Sequence, residues 1–270
     1  MLKATAQAWL AAGVPAVLVE VVATRGSAPR EAGTRMLVSE AEAVGTIGGG
    51  HLEWRAIADA RALIARGNDG TPLEQHVALG PSLGQCCGGA VDLRFERLRD
   101  THLRDWPEPP PRFTLQLYGA GHVGRAIVDL LARLPCRVQW IDERESEFPA
   151  GRSEPAHIDR VCVEPVEAEV DLAPPGAFYL VLTHSHDLDM AIAEAILRRG
   201  DFGFFGLIGS RTKRVRFERR LLERGIAPQL LERMSCPIGV PGIAGKEPEV
   251  LAVAVVAQLL QAAARSAAAR

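Results

Sequence analysis

Phe113-Thr114-Leu115-Gln116-Leu117-Tyr118-Gly119-Ala120-Gly121-His122-Val123-Gly124 reads as a strand, a turn and the start of a helix. Aromatic, β-branched and apolar side chains run to Tyr118, and three glycines follow in the spacing G-x-G-x-x-G. In that spacing Gly119 permits the tight turn, Gly121 lets a phosphate oxygen approach the backbone, and Gly124 lets helix and strand pack closely. The helix start offers free N–H groups and partial positive charge to an anion. A second strand over 137–141 ends at Asp142, 18 residues beyond Gly124, where an acidic residue contacts a ribose hydroxyl in dinucleotide sites.

Downstream the alternation continues. A helix is expected over 122–134, a short strand over 158–163, a strong strand over 178–183 and a helix over 187–199. A strand over 204–208, a helix over 211–224 and an apolar helix over 248–266 complete the pattern. Such alternation implies an α/β fold, a Rossmann-like doubly wound parallel sheet with helices on both faces, spanning 113–270. Upstream, four prolines within Trp106-Pro107-Glu108-Pro109-Pro110-Pro111 exclude helix and central strand, so 106–112 reads as a stiff linker. Residues 1–105 then form a separate N-terminal α+β domain. A helix over 2–12 is closed by Gly13, and the β-branched run 15–24 is a buried strand. Strands are expected over 35–38, 73–79 and 90–98, with a helix over 51–66 that Gly67 stops.

Composition bounds what such a chain does. Of 270 residues 47% are hydrophobic and 24% charged, a globular balance, and the net charge of −2 recruits neither nucleic acid nor an anionic membrane. No basic start with a long apolar core marks a secretory signal, and no run of about 18 apolar residues suggests a membrane span. The five cysteines, at 86, 87, 136, 162 and 236, lack framework spacing and read as reduced thiols of a cytoplasmic protein. Cys136 and Cys162 fall in or near expected core strands and read as packing residues, while Cys236, before Pro237, stays open.

Four further segments carry chemistry. In Gln85-Cys86-Cys87-Gly88-Gly89 two soft, oxidisable thiols precede a glycine pair that lets backbone approach a bulky ligand. Gly48-Gly49-Gly50-His51-Leu52-Glu53 is a glycine turn into a helix start, either an anion or cofactor loop or a tight structural turn, with Arg25, Ser27, Arg30 and Arg35 near in sequence. Thr183-His184-Ser185-His186-Asp187-Leu188-Asp189 lies at a strand's carboxyl end. Its histidines and aspartates invite a metal, but Leu188 and Asp189 break the di-zinc pattern H-x-H-x-D-H, and a helix N-cap by Ser185 or Asp187 is the plainer reading. In Gly206-Leu207-Ile208-Gly209-Ser210-Arg211-Thr212-Lys213-Arg214, Ser210 can cap the helix while Arg211 and Lys213 reach an anion. The alternative is a solvated face, since Arg214, Arg216, Arg219 and Arg220 continue the charge.

Taken jointly, these motifs resemble the XdhC/CoxI family of xanthine dehydrogenase accessory proteins over essentially the whole chain. The likeness rests on Arg25-Gly-Ser-Ala-Pro-Arg30 with Gly33, Gly45-Thr-Ile-Gly-Gly-Gly-His-Leu-Glu53 and Gln85-Cys-Cys-Gly-Gly89. It continues through Tyr118 to Gly124 with Asp142-Glu-Arg144, Thr183-His-Ser-His-Asp187, Gly206 to Arg214, Pro237-Ile-Gly-Val240 and Gly245-Lys-Glu-Pro248. One departure is His51, where many relatives carry cysteine.

The resemblance implies a chaperone without catalytic residues of its own. Such a protein binds the molybdenum cofactor (molybdopterin) transiently, shields it from oxidation, supports its sulfuration with a cysteine desulfurase and delivers it to the xanthine dehydrogenase large subunit. Molybdenum cofactor biosynthesis proteins and a second copy of the chain, as a homodimer, are the other implied partners. Cys87 is the implied molybdenum contact and Cys86 a second choice, with Gly49, Gly50, His51, Gly119, Gly121, Gly124, Asp142, Ser210, Arg211 and Lys213 as cofactor-binding residues. The competing expectation is an NAD(P)-dependent oxidoreductase with a dinucleotide in the Rossmann crevice and His122, His184 or His186 as its acid or base.

Overall fold

Residues 16–19 are apolar on both faces of an extended chain, and the strand they begin, 16–25, is the central strand of the first sheet. The structure, a computed structural model, describes residues 2–67, 71–79, 88–104, 106, 110–151 and 153–268. The chain divides into two compact units, Met1–Glu108 and Pro109–Arg270.

In the first unit α1 (Leu2–Ala11) precedes β1 (Ala16–Arg25), β2 (Arg35–Ser39) and β3 (Ala43–Gly45). Then come α2 (Gly50–Ala65), β4 (Leu73–Ala78), β5 (Ala90–Arg97) and the short α3 (Asp100–Arg104). The antiparallel sheet has the order β3-β2-β1-β5-β4. Val17, Val19 and Val21 of β1 enter the core with Leu52, Ala56 and Ala60 of α2. Ala16 and Leu18 point the other way, to Ala6 and Trp9 of α1. A register shift between Val21 and Ala23 bends the end of β1 just before the Arg25–Pro29 loop.

In the second unit β6 (Thr114–Tyr118), α4 (His122–Leu131), β7 (Arg137–Asp142) and β8 (Ile158–Cys162) form the first half. The second half contains β9 (Phe178–Val181), α5 (His186–Arg199), β10 (Phe204–Leu207), α6 (Arg211–Glu223), α7 (Pro228–Glu232), β11 (Met234–Ser235) and α8 (Pro248–Ala268). All six strands are parallel in the order β11-β10-β9-β6-β7-β8, the doubly wound arrangement. One face is covered by α4 and α8 and the other by α5 and α6, each over its own apolar core. The direction of winding therefore reverses between β6 and β9. Buried Gln116 is satisfied: its Nε2 donates to Gln139 Oε1 at 3.0 Å and to Glu169 O at 2.7 Å, and Tyr118 Oη donates to its Oε1 at 2.8 Å.

By length and composition α8 is apolar enough to cross a membrane, with a mean hydropathy of 1.6 in its most apolar window. In the fold its Ala252, Val255, Val256, Leu259, Ala262 and Ala263 belong to the core shared with α4. That buried stripe is one side of the helix; Val253 on another side is 51% exposed.

Candidate functional site

The fingerprint turn uses its glycines in different ways. A Cβ on Gly119, whose φ is 123°, would meet the carbonyl oxygen of Leu182, and one on Gly124 would meet the carbonyl oxygen of Gly119. Both positions thus press backbone against backbone. Gly121 has an ordinary φ of −68° and nothing within 4 Å of an added Cβ, so neither conformation nor packing requires glycine there. That is the open side a ligand phosphate would use.

Asp142 does not stand free for a ribose. Its side chain is 3% exposed and its oxygens accept from Ala120 N at 2.7 Å, Arg144 N at 2.9 Å, and Arg144 Nε and Nη2 at 3.0 Å each. Burial would raise its pKa, but the Arg144 guanidinium and the Ala120 and Arg144 amides outweigh that and hold the carboxyl below its ordinary value. The spacing that suggests a ribose ligand instead places an internal anchor for the glycine turn. Around Tyr118, Gly119, Asp142, Thr183 and His184 the crevice between β6 and β9 is too tight to admit a water molecule. Small-molecule sites usually offer roughly 300 Å³ or more.

The larger space lies one strand further on. A cavity of about 450 Å³ opens between the carboxyl ends of β9 and β10, lined among others by His184, His186, Ser210, Thr212, Arg216 and Arg220. Ser185 caps α5 by accepting from Leu188 N, and Ser210 caps α6 by accepting from Lys213 N at 3.2 Å. Asp189, 2% exposed, accepts from Thr183 N and Oγ1 at 3.0 and 2.7 Å and from Lys213 Nζ at 2.5 Å. Lys213 also donates to Ile208 O at 2.8 Å, so it is an internal tie between the two strand ends and not a hand extended to an anion. Arg211 is exposed and does not line this cavity; it faces an adjoining open depression with Val215 and Arg219, which Thr212 and Arg216 separate from the cavity.

Arg216 and Arg220, which the sequence places within a charged helix surface, are the cationic side chains that reach the cavity with Lys213. Their spacing could have revealed it: 213, 216 and 220 lie on one face of a helix. Arg214 and Arg219 lie elsewhere on the helix and pair with Glu218 and Glu223. His184 Nε2 is 3.6 Å from Glu143 Oε1. Among the described residues no three histidine, cysteine or acidic side chains gather as a metal site.

In the first unit three glycine motifs meet. Gly89 lies so close to the Arg25–Ser27 backbone that a Cβ on it would strike the carbonyl oxygens of both residues. An added Cβ on Gly26 would be 3.2 Å from Gly89 Cα, and one on Gly48 would be 2.5 Å from Pro29 Cγ. The Arg25–Arg30 loop therefore joins the Gly48 turn to the Gly88-Gly89 pair, and Arg25 and Arg30 are exposed beside it. Arg35 is committed elsewhere, to Glu20 at 3.3 Å and beneath the Trp106 ring.

The Gly48 turn is partly self-satisfied. Gly48, Gly49 and Gly50 all have positive φ, and Glu53 Oε2 accepts from Thr46 Oγ1 at 2.5 Å and from the amides of Ile47 and Gly49 at 3.1 Å each. The Gly49 N–H is thus consumed by a carboxylate from the next helical turn. Gly49 and Gly88 have no described atom within 4 Å of an added Cβ. His51 is exposed and stacks on Trp54 at 5.4 Å between ring centroids. Cys86 and Cys87 lie outside the described residues, immediately before Gly88.

Cys136 and Cys236 are buried, and burial raises both thiol pKa values, Cys136 to about 11. Cys162 is exposed, contrary to the expected packing role, because it ends the edge strand β8; its Sγ donates to Glu143 O at 3.6 Å.

A two-unit α/β protein with a doubly wound second unit and a glycine-loop cluster in the first is the class these features define. The chain belongs to the XdhC and CoxI family: the XdhC Rossmann domain matches residues 115–259, and the XdhC and CoxI family model matches residues 9–75. The uncharacterized protein YqeB of Escherichia coli (strain K12) is 31% identical over 258 residues, which cover 92% of this chain. The chain spans 43% of that curated relative's length. A crystal structure from Bacillus halodurans, described as a xanthine dehydrogenase, shares the fold with a TM-score of 0.74 at 19% identity, covering 98% of this chain and 96% of that one.

Proposed function

We propose that this chain serves the maturation of xanthine dehydrogenase as a chaperone for the molybdenum cofactor. In this reading it holds the cofactor, shields it from oxidation, supports its sulfuration with a cysteine desulfurase and passes it to the large subunit. Molybdenum cofactor biosynthesis proteins supply the cargo, and a homodimer is the acting form. Membership of the XdhC and CoxI family supports the role. The observation that carries the choice of site is the convergence of the Gly48, Arg25–Arg30 and Gly88-Gly89 loops in the first unit.

The residues present fit such a cargo. Among the described residues Gly49 and Gly88 leave room for a bulky group, and exposed Arg25 and Arg30 supply positive charge for its phosphate. A thiolate at Cys87 suits a metal that accepts sulfur ligands. His51 stands beside this turn without replacing the thiol that many relatives carry there. Bound cargo supplies the redox-active metal; the protein's own task is to bind it, exclude water and release it. The committed Asp142 carboxylate and the narrow β6/β9 crevice weigh against the dehydrogenase alternative.

The test is molybdenum content after anaerobic purification from cells that make the cofactor. Cys87→Ala should retain about tenfold less molybdenum than the unaltered chain, an amount set by one lost metal–sulfur contact. Unchanged stoichiometry and release rate in that variant would remove Cys87 from the site.

A further inference from the structure

We infer that the cavity between the carboxyl ends of β9 and β10 binds the phosphate group of a phosphorylated small molecule, with Arg216 and Arg220 as its anion-recognising side chains. This goes beyond the cargo reading, because it concerns phosphate recognised by the second unit whatever molecule carries it.

Space and charge carry the argument together. The cavity's volume of about 450 Å³ accommodates a small phosphorylated ligand, whereas the crevice where the winding reverses does not admit even a water molecule. Within its lining Lys213 and Asp189 neutralise each other as a buried pair at 2.5 Å. Arg216 has no carboxylate within ion-pair distance among the described residues, its helical neighbours Arg214 and Arg219 having taken Glu218 and Glu223. Among the described residues Arg220 has only Asp187, at 3.8 Å and with a side chain 90% exposed, a solvent-screened pair that holds it weakly. The cavity wall therefore carries uncompensated positive charge in the planar, forked form that matches phosphate oxygens.

The remaining lining is what an anion needs. Ser185, Ser210 and Thr212 contribute hydroxyl groups, and the first turns of α5 and α6 open onto the same space. Gly209 makes this possible, since a Cβ there would fall 2.5 Å from Lys213 Cδ and push the lysine off Asp189. With the lysine held down as floor, Arg216 and Arg220 remain as wall.

The test uses the full chain and inorganic pyrophosphate in isothermal titration calorimetry. Saturable one-site binding is expected, weakened about a hundredfold in the R216A/R220A double variant, since each of the two charged hydrogen bonds lost is worth about tenfold. Arg219→Ala, which removes the same charge from outside the cavity, should bind as the unaltered chain does. Both arginines lie on the accessible face of α6, and thermal melts of each variant check that the fold is kept. Absence of saturable binding, or an equal loss in Arg219→Ala, would overturn the site. Displacement of pyrophosphate by AMP would make a nucleotide the phosphate source, and displacement by extracted pterin cofactor alone would make it the cargo; either upholds the site. Loss of pyrophosphate binding with molybdenum retention intact separates this inference from the proposed function.

Discussion

At the scale of residues, Asp142 closes the fingerprint turn from inside. A carboxylate 3% exposed is tolerated because four donors from Ala120 and Arg144 surround it. Asp142→Asn keeps the shape, loses the charge and turns an N–H₂ toward groups that are all donors. Such losses in buried networks cost about 2–4 kcal/mol, visible as a lower Tm. The folded pKa is depressed, so this contribution is present above the unfolded pKa and is lost as pH falls through the folded one. The Tm gap between the unaltered chain and Asp142→Asn should therefore narrow in acid, below the ordinary carboxylate range. A gap that stays constant into strong acid would contradict the assigned network. The position of this acid was legible from its spacing; its partner was not, because a turn anchor and a ribose ligand occupy the same place in the sequence. Lys213 and Arg216 exchange expected roles for a similar reason, since buried Asp189 on another helix decides which cation is tied down.

At the scale of elements, α4 and its turn separate two kinds of glycine. Gly124→Ala would drive a methyl into the Gly119 carbonyl and lift the helix from the sheet, an overpacking cost of about 1–3 kcal/mol or more. Gly121→Ala meets nothing within 4 Å at an ordinary φ and should change stability by only about 0.5 kcal/mol. Chemical denaturation of the two variants checks the contrast, and equal losses would mean the turn is packed differently. The long elements were readable from periodicity: β1, α2, β6, α4, β9, α5, α6 and α8 lie within a few residues of their expected spans. Missed were β3, α3, α7 and β11, with three, five, five and two residues, and the 3₁₀ segments Glu145–Glu147 and Val166–Leu172. Segments that short contain too few residues to display a period, and tertiary contacts define them.

At the scale of the whole molecule, each unit has its own cores, built in the first from β1, β2, β5, α1 and α2 and in the second from both faces of the parallel sheet. Leu259 of α8 is fully buried in the core it shares with α4, and Leu259→Ala should cost about 2–5 kcal/mol. Hydrogen exchange should rise in β6, β7, β9 and α4 and stay unchanged in β1, β2 and β5, because no residue of the first unit belongs to that core. Faster exchange in both units would show that their stabilities are coupled.

The sequence by itself determined the α/β class, the doubly wound second unit, the α+β character of the first unit and the positions of the glycine turns. Those properties follow from local periodicity and from backbone angles that only glycine adopts readily. Tertiary structure alone decided which donors and charges remain available. Glu53 took the Gly49 amide, Arg144 and Ala120 took Asp142, and Asp189 took Lys213, while Arg216 and Arg220 were left facing a cavity. Whether a polar group is free depends on partners brought close by folding from distant parts of the chain, a distance in space that spacing along the sequence does not encode.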